Sequence, residues 1–145
     1  METISYKHLA PTELKTSGDL KMSKSDREDS GIPAEKCRVT VEEALARLPG
    51  AAGERFVSVL EHGSLLVEIY APRETDPQQP HTRDELYIIA QGSGVFLNGH
   101  VRHWFKRGDL LFVPAGREHR FEAFTDDLAA WVVFYGPEGG EAAKG

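Results

Sequence analysis

Residues 81–85 are His-Thr-Arg-Asp-Glu, and residues 114–119 are Pro-Ala-Gly-Arg-Glu-His. Two histidines and a carboxylate with no cysteine nearby suit a divalent first-row metal, because imidazole and carboxylate are borderline-to-hard ligands. His81 and Glu85 are four residues apart, so on one strand both side chains lie on the same face. His119 follows the Pro-x-Gly turn and has to reach the same cavity from a neighbouring strand.

The region around these segments has the period of a β-protein. Turn signals separate the apolar runs, and Asn98-Gly99 is a strong signal for a tight hairpin. Short strands with Gly and Pro punctuation, and no alternating helices, predict an all-β antiparallel fold, a closed double-sheet or jelly-roll barrel. The eight predicted runs are Phe56–Leu60, Ser64–Ala71, Glu85–Gln91, Gly94–Leu97, Val101–Phe105, Leu110–Val113, His119–Phe124 and Ala129–Tyr135.

The sequence before the strands predicts one short helix and a flexible arm. Thr40-Val-Glu-Glu43 is a capping box, and an apolar stripe at helical spacing follows until Pro49-Gly50. We expect this helix to cover an open end of the barrel. Residues 1–36 include a charged stretch with a single apolar residue, which cannot offset its ordering entropy by burial. We therefore predict a flexible arm over residues 1–36 and one barrel domain over residues 37–145.

Composition excludes several classes of protein. A chain of 145 residues is long enough for one domain with its own core. Its net charge of -6 argues against a nucleic-acid partner, because phosphate backbones select basic surfaces. Cys37 is the only cysteine, which excludes an internal disulfide and fits a reducing compartment. The sequence contains no run of about 18 apolar residues, so it predicts no membrane span. We expect a cytoplasmic protein with no membrane partner.

The two segments resemble the motifs of the cupins, small antiparallel β-barrels in which each motif supplies metal ligands. The first motif has the form G-x5-H-x-H-x3-E-x6-G, and the second G-x5-P-x-G-x2-H-x3-N. Seven positions match: His81, Glu85, Gly92, Gly108, Pro114, Gly116 and His119. Three positions depart, with Arg73 in place of the first Gly, Gln79 in place of the first His and Ala123 in place of the Asn. The resemblance implies the double-stranded β-helix of the cupin barrel.

His81, Glu85 and His119 are the predicted metal ligands. They form a two-histidine, one-carboxylate facial set with open positions, an arrangement associated with non-haem iron. The expected cofactor is a divalent transition metal, with Fe, Mn, Ni and Zn as alternatives. Gln79 lies two residues before His81 and is a candidate fourth ligand through its amide oxygen, or else it orients a metal-bound water.

Strand alternation also predicts the cavity wall. If Glu85 points inward, so do Tyr87 and Ile89; if His119 points inward, so do Phe121 and Ala123. Such a pocket is largely apolar with a few polar groups at the metal, as is usual for small-molecule sites. Arg83 and Asp84, at the mouth of the barrel, could meet a charged substrate, although exposed charges there are ordinary.

Two classes of function fit these observations. The first is a metal-dependent enzyme acting on a small organic molecule, of the dioxygenase, decarboxylase or isomerase type that occurs among proteins this chain resembles. The second is a non-catalytic module that binds or senses a small ligand. We favour the enzyme, with no catalytic residue assigned beyond the metal ligands. Because unpaired edge strands invite partner strands, we also predict a homodimer.

Overall fold

The computed structural model describes residues 31–144. Most of the predicted flexible arm, residues 1–30, lies outside the described residues. Residues 31–37 contain a single turn of 3-10 helix at Ala34–Lys36. Among the residues that the structure describes, no helix is long and apolar enough to cross a membrane.

The predicted helix forms at Val41–Leu45 and is named α1. Its capping box is complete: the Thr40 hydroxyl accepts from the Glu43 amide at 3.1 Å, and the Thr40 amide donates to the Glu43 carboxylate at 2.9 Å. Ala44 is fully buried against apolar residues of the neighbouring strands, among them Ile69 and Ala129. The helix is short, and its burial comes from this one apolar face.

All eight predicted strands are present, with ends that differ from the prediction by two residues at most. The first five strands gain or lose one or two residues at one or both ends, and the last three have the predicted limits. The strands are β1 (Phe56–His62), β2 (Leu65–Tyr70), β3 (Asp84–Gln91), β4 (Ser93–Asn98), β5 (Val101–Lys106), β6 (Leu110–Val113), β7 (His119–Phe124) and β8 (Ala129–Tyr135).

These strands form an antiparallel β-barrel fold from two sheets. The larger sheet has the order β1-β2-β8-β3-β6, and the smaller has the order β5-β4-β7. Asn98 pairs with Val101 across the β4-β5 hairpin, and Gly99 has a φ of 63°, which confirms the tight turn predicted there. The last strand of the chain, β8, lies in the middle of the larger sheet between β2 and β3.

Aromatic side chains fill the core of the barrel. Tyr87 and Phe96 are fully buried, and Phe121 packs on both, with ring centroids 5.2 and 4.8 Å away. Ile89 belongs to the same cluster. Burial of Glu85, Tyr87 and Ile89 on one face of β3 follows the predicted alternation.

On β7 the predicted alternation is wrong at Ala123. His119 and Phe121 are buried, whereas Ala123 is exposed. The cause is an irregular register between β4 and β7: Phe96 pairs with Phe121 but Val95 pairs with Ala123, so that β7 carries one extra residue. Such a β-bulge shifts the side-chain alternation. Ala123 therefore does not line the interior.

Candidate metal centre

Glu85 lies near the start of β3, and His81 lies in the loop before that strand. The two side chains meet, with 2.7 Å between His81 Nδ1 and Glu85 Oε2. The sequence interpretation predicted this meeting but gave the wrong cause. β3 begins only at Asp84, so the path of the loop brings His81 to Glu85, and strand alternation does not apply to it.

His119 is the first residue of β7 and is fixed in one tautomer by its own backbone. Its Nδ1 lies 2.8 Å from the carbonyl oxygen of Arg117. Because a carbonyl only accepts, Nδ1 carries the hydrogen, and in the neutral ring Nε2 is left with a lone pair. That Nε2 lies 3.4 Å from Glu85 Oε2 without forming a hydrogen bond.

The polar atoms at this point fit a bound cation. The ligand atoms of His81, Glu85 and His119 lie within 4.8 Å of one another. Glu85 Oε1 and His119 Nε2 are buried and have no hydrogen-bond partner among the described residues. Buried polar atoms without partners are costly, and an ionised carboxylate is more so. A divalent metal held by these three side chains would satisfy both atoms.

The charge of Glu85 acts on His81. The hydrogen bond with Glu85 raises the pKa of His81 above the ordinary 6.5, and this effect exceeds the opposing effect of burial. The three proposed ligands also differ in access: 32% of the His81 side chain is exposed, against 1% for Glu85 and 0% for His119. His81 is therefore the ligand that faces the open cavity.

Backbone hydrogen bonds tie the two motif segments together. The Gly116 amide donates to the carbonyl of His81 at 2.7 Å, so the Pro-x-Gly turn that precedes His119 also holds the His81 loop. Asp84 accepts from the amides of Ala115 at 2.9 Å and Glu141 at 2.8 Å, and these bonds lower the pKa of its carboxyl group. Asp84 is buried, and both of its carboxylate oxygens accept hydrogen bonds from these backbone amides. The expectation that Asp84 could meet a charged substrate is therefore wrong.

A second carboxylate, which the sequence interpretation missed, forms hydrogen bonds close to the site. Buried Asp76 accepts from the Tyr70 hydroxyl, from the amide and side chain of Gln78, and from the amide of Phe121. Gln78 in turn accepts from the hydroxyl of Tyr87 at 2.6 Å. Burial, and then the bond to Asp76, raises the pKa of Tyr70. In the sequence, Asp76-Pro77 is an ordinary turn signal. Only the hydrogen bonds of Asp76 to Tyr70 and to the amide of Phe121 show its structural role.

The cavity beside His81 has a volume of about 720 Å³, within the range of small-molecule sites. It differs from the predicted one: Tyr87, Ile89 and Phe121 belong to the core and do not line it. The lining consists of Gly53, Glu54, Arg55, Phe56, Leu66, Glu68, Tyr70, Pro72, Arg73, Thr75, Pro77, Gln78, His81, Thr82, Arg83, Val132 and Phe134.

The structure does not bring Gln79 to the metal ligands. Its side chain is exposed and does not line the cavity, whereas its neighbour Gln78 does. Two residues apart on a strand, Gln79 and His81 would share a face, but residues 77–83 form no strand. Neighbouring side chains in a loop need not alternate, and here the inward position belongs to Gln78.

Glu68 is the other functional candidate that the sequence interpretation missed. It lies on β2 and lines the cavity together with His81. Burial raises the pKa of its carboxyl group, the nearby His81 opposes this, and Glu85 adds to it. The available signal was a lone carboxylate within the apolar run Leu65–Tyr70.

The model of the family described as "Cupin domain" matches residues 66–135 of this chain. A Streptomyces coelicolor protein described as uncharacterized is 34% identical over 85 residues, which are 57% of this chain and 81% of that protein. A gentisate 1,2-dioxygenase from a Streptomyces species is 31% identical over 46% of this chain. A mannose-6-phosphate isomerase from Cryptococcus neoformans is 37% identical over 45% of it. These matches span only 19% and 15% of the two enzymes.

Solved structures share the fold. A putative mannose-6-phosphate isomerase from Ralstonia eutropha JMP134 superposes with a TM-score of 0.52 at 24% identity, covering 63% of this chain and 94% of that one. A Cupin 2 conserved barrel domain protein from Salinispora arenicola CNS-205 gives a TM-score of 0.53 at 19% identity, covering 68% and 87%. At these identities the likeness extends to the fold alone.

Proposed function

The chain belongs to the cupin family, and on that premise we propose that it is a metal-dependent enzyme, of oxygenase or isomerase type, that acts on a small organic molecule. One observation carries the proposal. His119 Nε2 lies 3.4 Å from Glu85 Oε2 in a buried position, and neither this nitrogen nor the second oxygen of Glu85 has a hydrogen-bond partner among the described residues. This arrangement is costly without a cation and favourable with one.

His81, Glu85 and His119 would hold the metal, with Fe, Mn, Ni and Zn as the candidates. When bound, such a metal supplies Lewis-acid polarisation of a substrate oxygen or, for a redox-active ion, access to oxygen chemistry. The chain's own contribution is to fix the ligands. Arg117 sets the tautomer of His119 through its carbonyl, and Glu85 orients the His81 ring by the bond at 2.7 Å.

Glu68 supports a proton-transfer role within the same site. Its carboxylate lines the cavity beside His81, and burial raises its pKa towards the range in which a carboxylate exchanges protons effectively. An isomerase-type reaction needs a group that takes a proton from one atom of the substrate and returns it to another. We propose the Glu68 carboxylate for that task.

The names of the two enzyme relatives support the choice of reaction types. One is called a dioxygenase and the other an isomerase, and in both the similar segment includes part of this barrel. Because that segment is less than a fifth of either relative, the activity of this chain is our proposal and does not follow from theirs.

The alternative is a module that binds a small ligand without turnover. The limited access to the ligand set favours it, since 1% of Glu85 and none of His119 is exposed, so that only His81 faces the cavity. For either function we keep the prediction of a cytoplasmic protein, which the single cysteine, Cys37, supports.

Metal content and turnover test the proposal together. Protein purified without chelators should contain close to one transition metal per chain by mass spectrometry, and His119→Ala should remove it. Exposed His103→Ala is the matched control and should keep it. Oxygen uptake with enolic and catecholic compounds would identify an oxygenase. Solvent-deuterium incorporation into hydroxy-carbonyl compounds, lost in Glu68→Gln, would identify an isomerase. Stoichiometric metal without either activity would favour the binding module.

A further inference from the structure

Arg55 presents unused hydrogen-bond donors to the cavity. It precedes β1, and its Nε–H donates to the carbonyl of Ala71 at 2.9 Å, which anchors the side chain. The two terminal NH2 groups of the guanidinium have no acceptor among the described residues. The side chain is half-buried and lines the cavity. Arg55 therefore offers an oriented pair of donors at a partly desolvated position.

Arg73 brings a second positive charge to the same place. Arg73 lines the same cavity. Burial is the largest cause that lowers the pKa of Arg55, and the positive charge of Arg73 is the second. The two guanidinium groups are therefore close enough to repel. Within residues 31–144, neither arginine forms a salt bridge. Two neighbouring like charges with free donors are the usual setting for a carboxylate or a phosphate group.

The other charged groups on the lining do not neutralise this pair. Arg83 is occupied by the carbonyls of Gly136 and Ser64. Glu54 accepts from the amide of Ala52 at 3.0 Å and forms no salt bridge with Arg55. Glu68 forms no salt bridge with either arginine. The wall therefore carries three arginines against two glutamates.

The rest of the lining suits the apolar body of a small molecule. Phe56, Leu66, Val132 and Phe134 contribute apolar surface to the wall of the cavity that the arginines and His81 also line. Phe134 also packs edge-on against His81, with ring centroids 5.0 Å apart. The volume of about 720 Å³ admits a molecule with an anionic end and a flat apolar part.

Arg73 also stands at a position where the chain departs from the cupin motif, which has glycine there. Its backbone forms a small turn in which the amide of Thr75 donates to the carbonyl of Arg73 at 2.7 Å. Thr75 lines the cavity too. The departure thus places a long cationic side chain at the wall of the site.

We propose that the substrate is a small organic acid whose carboxylate or phosphate group binds between Arg55 and Arg73, with its apolar part against Phe56 and Phe134. This assignment of a substrate class rests on the proposed function, because the anion subsite serves the cavity beside His81. Binding of the anionic group does not itself need the metal, so the two proposals are separable by experiment.

The test is a calorimetric or NMR titration of the full chain with benzoate, phenyl phosphate and uncharged benzamide. Each titration is done with metal-loaded protein and with chelator-treated protein. We expect an anionic probe to bind at least about tenfold more tightly than benzamide, the effect of one charge-assisted hydrogen-bond pair. Arg73→Gln and Arg55→Gln should each weaken that binding by about tenfold, and added salt should weaken it further. The tighter of the two anions identifies the carboxylate or the phosphate class.

Arg107→Gln is the matched control, because Arg107 is exposed and does not line the cavity. Equal binding of benzoate, phenyl phosphate and benzamide would overturn the inference, as would an equal loss in Arg107→Gln and Arg73→Gln. Anion binding that persists in chelator-treated protein, together with failure to bind any metal, would support the anion subsite and remove the proposed enzyme. Because Arg73 is exposed, its variant should fold like the parent chain, and circular dichroism checks both variants.

Discussion

The amide of Gly116 donates a hydrogen bond of 2.7 Å to the carbonyl oxygen of His81. Gly116 has a φ of 80°, in the left-handed region, and a Cβ added there would meet no other atom within 4 Å. A substitution by alanine therefore strains the backbone without a clash. The bond joins the turn before His119 to the loop that carries the other histidine.

We expect Gly116→Ala to lower the free energy of unfolding by about 1–2 kcal/mol and to weaken metal binding as well. Gly108→Ala is the control, since Gly108 has a φ of 90° and equal space but lies in the β5-β6 turn. Its loss of stability should be similar, with metal affinity unchanged. Urea unfolding and metal titration measure the two effects. Equal metal affinity in both variants would show that the hydrogen bond from Gly116 to His81 does not contribute to metal binding.

Metal should stabilise the folded chain through linkage. A ligand that binds only the folded state adds about 2.7 kcal/mol at a concentration of 100 times its Kd, so the Tm should rise by several degrees. His119→Ala should remove this rise while the barrel stays folded, because its stability comes from apolar packing between strands. Differential scanning calorimetry with Mn, Fe, Ni and Zn measures the shift. A full shift in both His81→Ala and His119→Ala would show that the site is misassigned.

The pH dependence of the metal-free and metal-bound forms should have opposite signs. The pKa of His81 is raised above 6.5 by its bond to Glu85, so the folded state binds a proton more tightly than the unfolded state. That contribution to stability is complete below 6.5 and is lost as pH rises through the raised pKa. Metal needs a neutral imidazole, so metal affinity should fall as pH falls through the same range. Glu85→Gln should remove the first dependence; urea midpoints across pH measure it.

Gln78 and Gln79 form a matched pair. Gln78→Ala leaves the buried Tyr87 hydroxyl without its acceptor and removes one of the donors to Asp76, which should cost about 1–3 kcal/mol. Gln79→Ala changes an exposed side chain and should alter stability by less than about 0.5 kcal/mol, with metal affinity unchanged. Chemical denaturation and metal titration compare the two. A large loss of metal in Gln79→Ala would restore that residue as a ligand.

The outer face of β3 and β6 is where we expect a second copy to bind. Leu110 pairs with Ile88 and Phe112 pairs with Leu86, and Ile88, Leu110 and Phe112 are exposed on this edge of the larger sheet. We predict a homodimer at micromolar concentration by sedimentation. Leu110→Lys combined with Phe112→Lys should give monomer. Trp104→Lys, an equally apolar exposed position on the smaller sheet, is the control and should leave the dimer intact.

The sequence predicted the strands well because each burial pattern is local. The runs from Leu110 to Val113 and from His119 to Phe124 have the predicted ends, since turn residues limit them on both sides. The three proposed metal ligands were also identified from motif spacing, and the structure places them together. Local pattern and motif suffice where the signal lies within a few residues.

The errors have non-local causes. The bulge that exposes Ala123 depends on how β7 pairs with β4, which no spacing within β7 reveals. The role of Asp76 depends on Tyr70, Gln78 and the amide of Phe121, 45 residues away. Arg55 and Arg73 line one cavity because β1 pairs with β2, which brings Arg55 beside Ala71. Cavity walls and hydrogen-bond networks of this kind require the tertiary structure.

The position of β8 in the middle of the larger sheet has a consequence for synthesis on the ribosome. β1-β2 and β3-β6 are separate strand pairs until Ala129–Tyr135 emerges and joins them. A nascent chain that already contains His81, Glu85 and His119 thus still has two open sheet edges. Non-local pairing of this kind is slow, and open edges invite association with other chains. The interval before the final strand is released is therefore when open sheet edges expose the chain most to association with other chains.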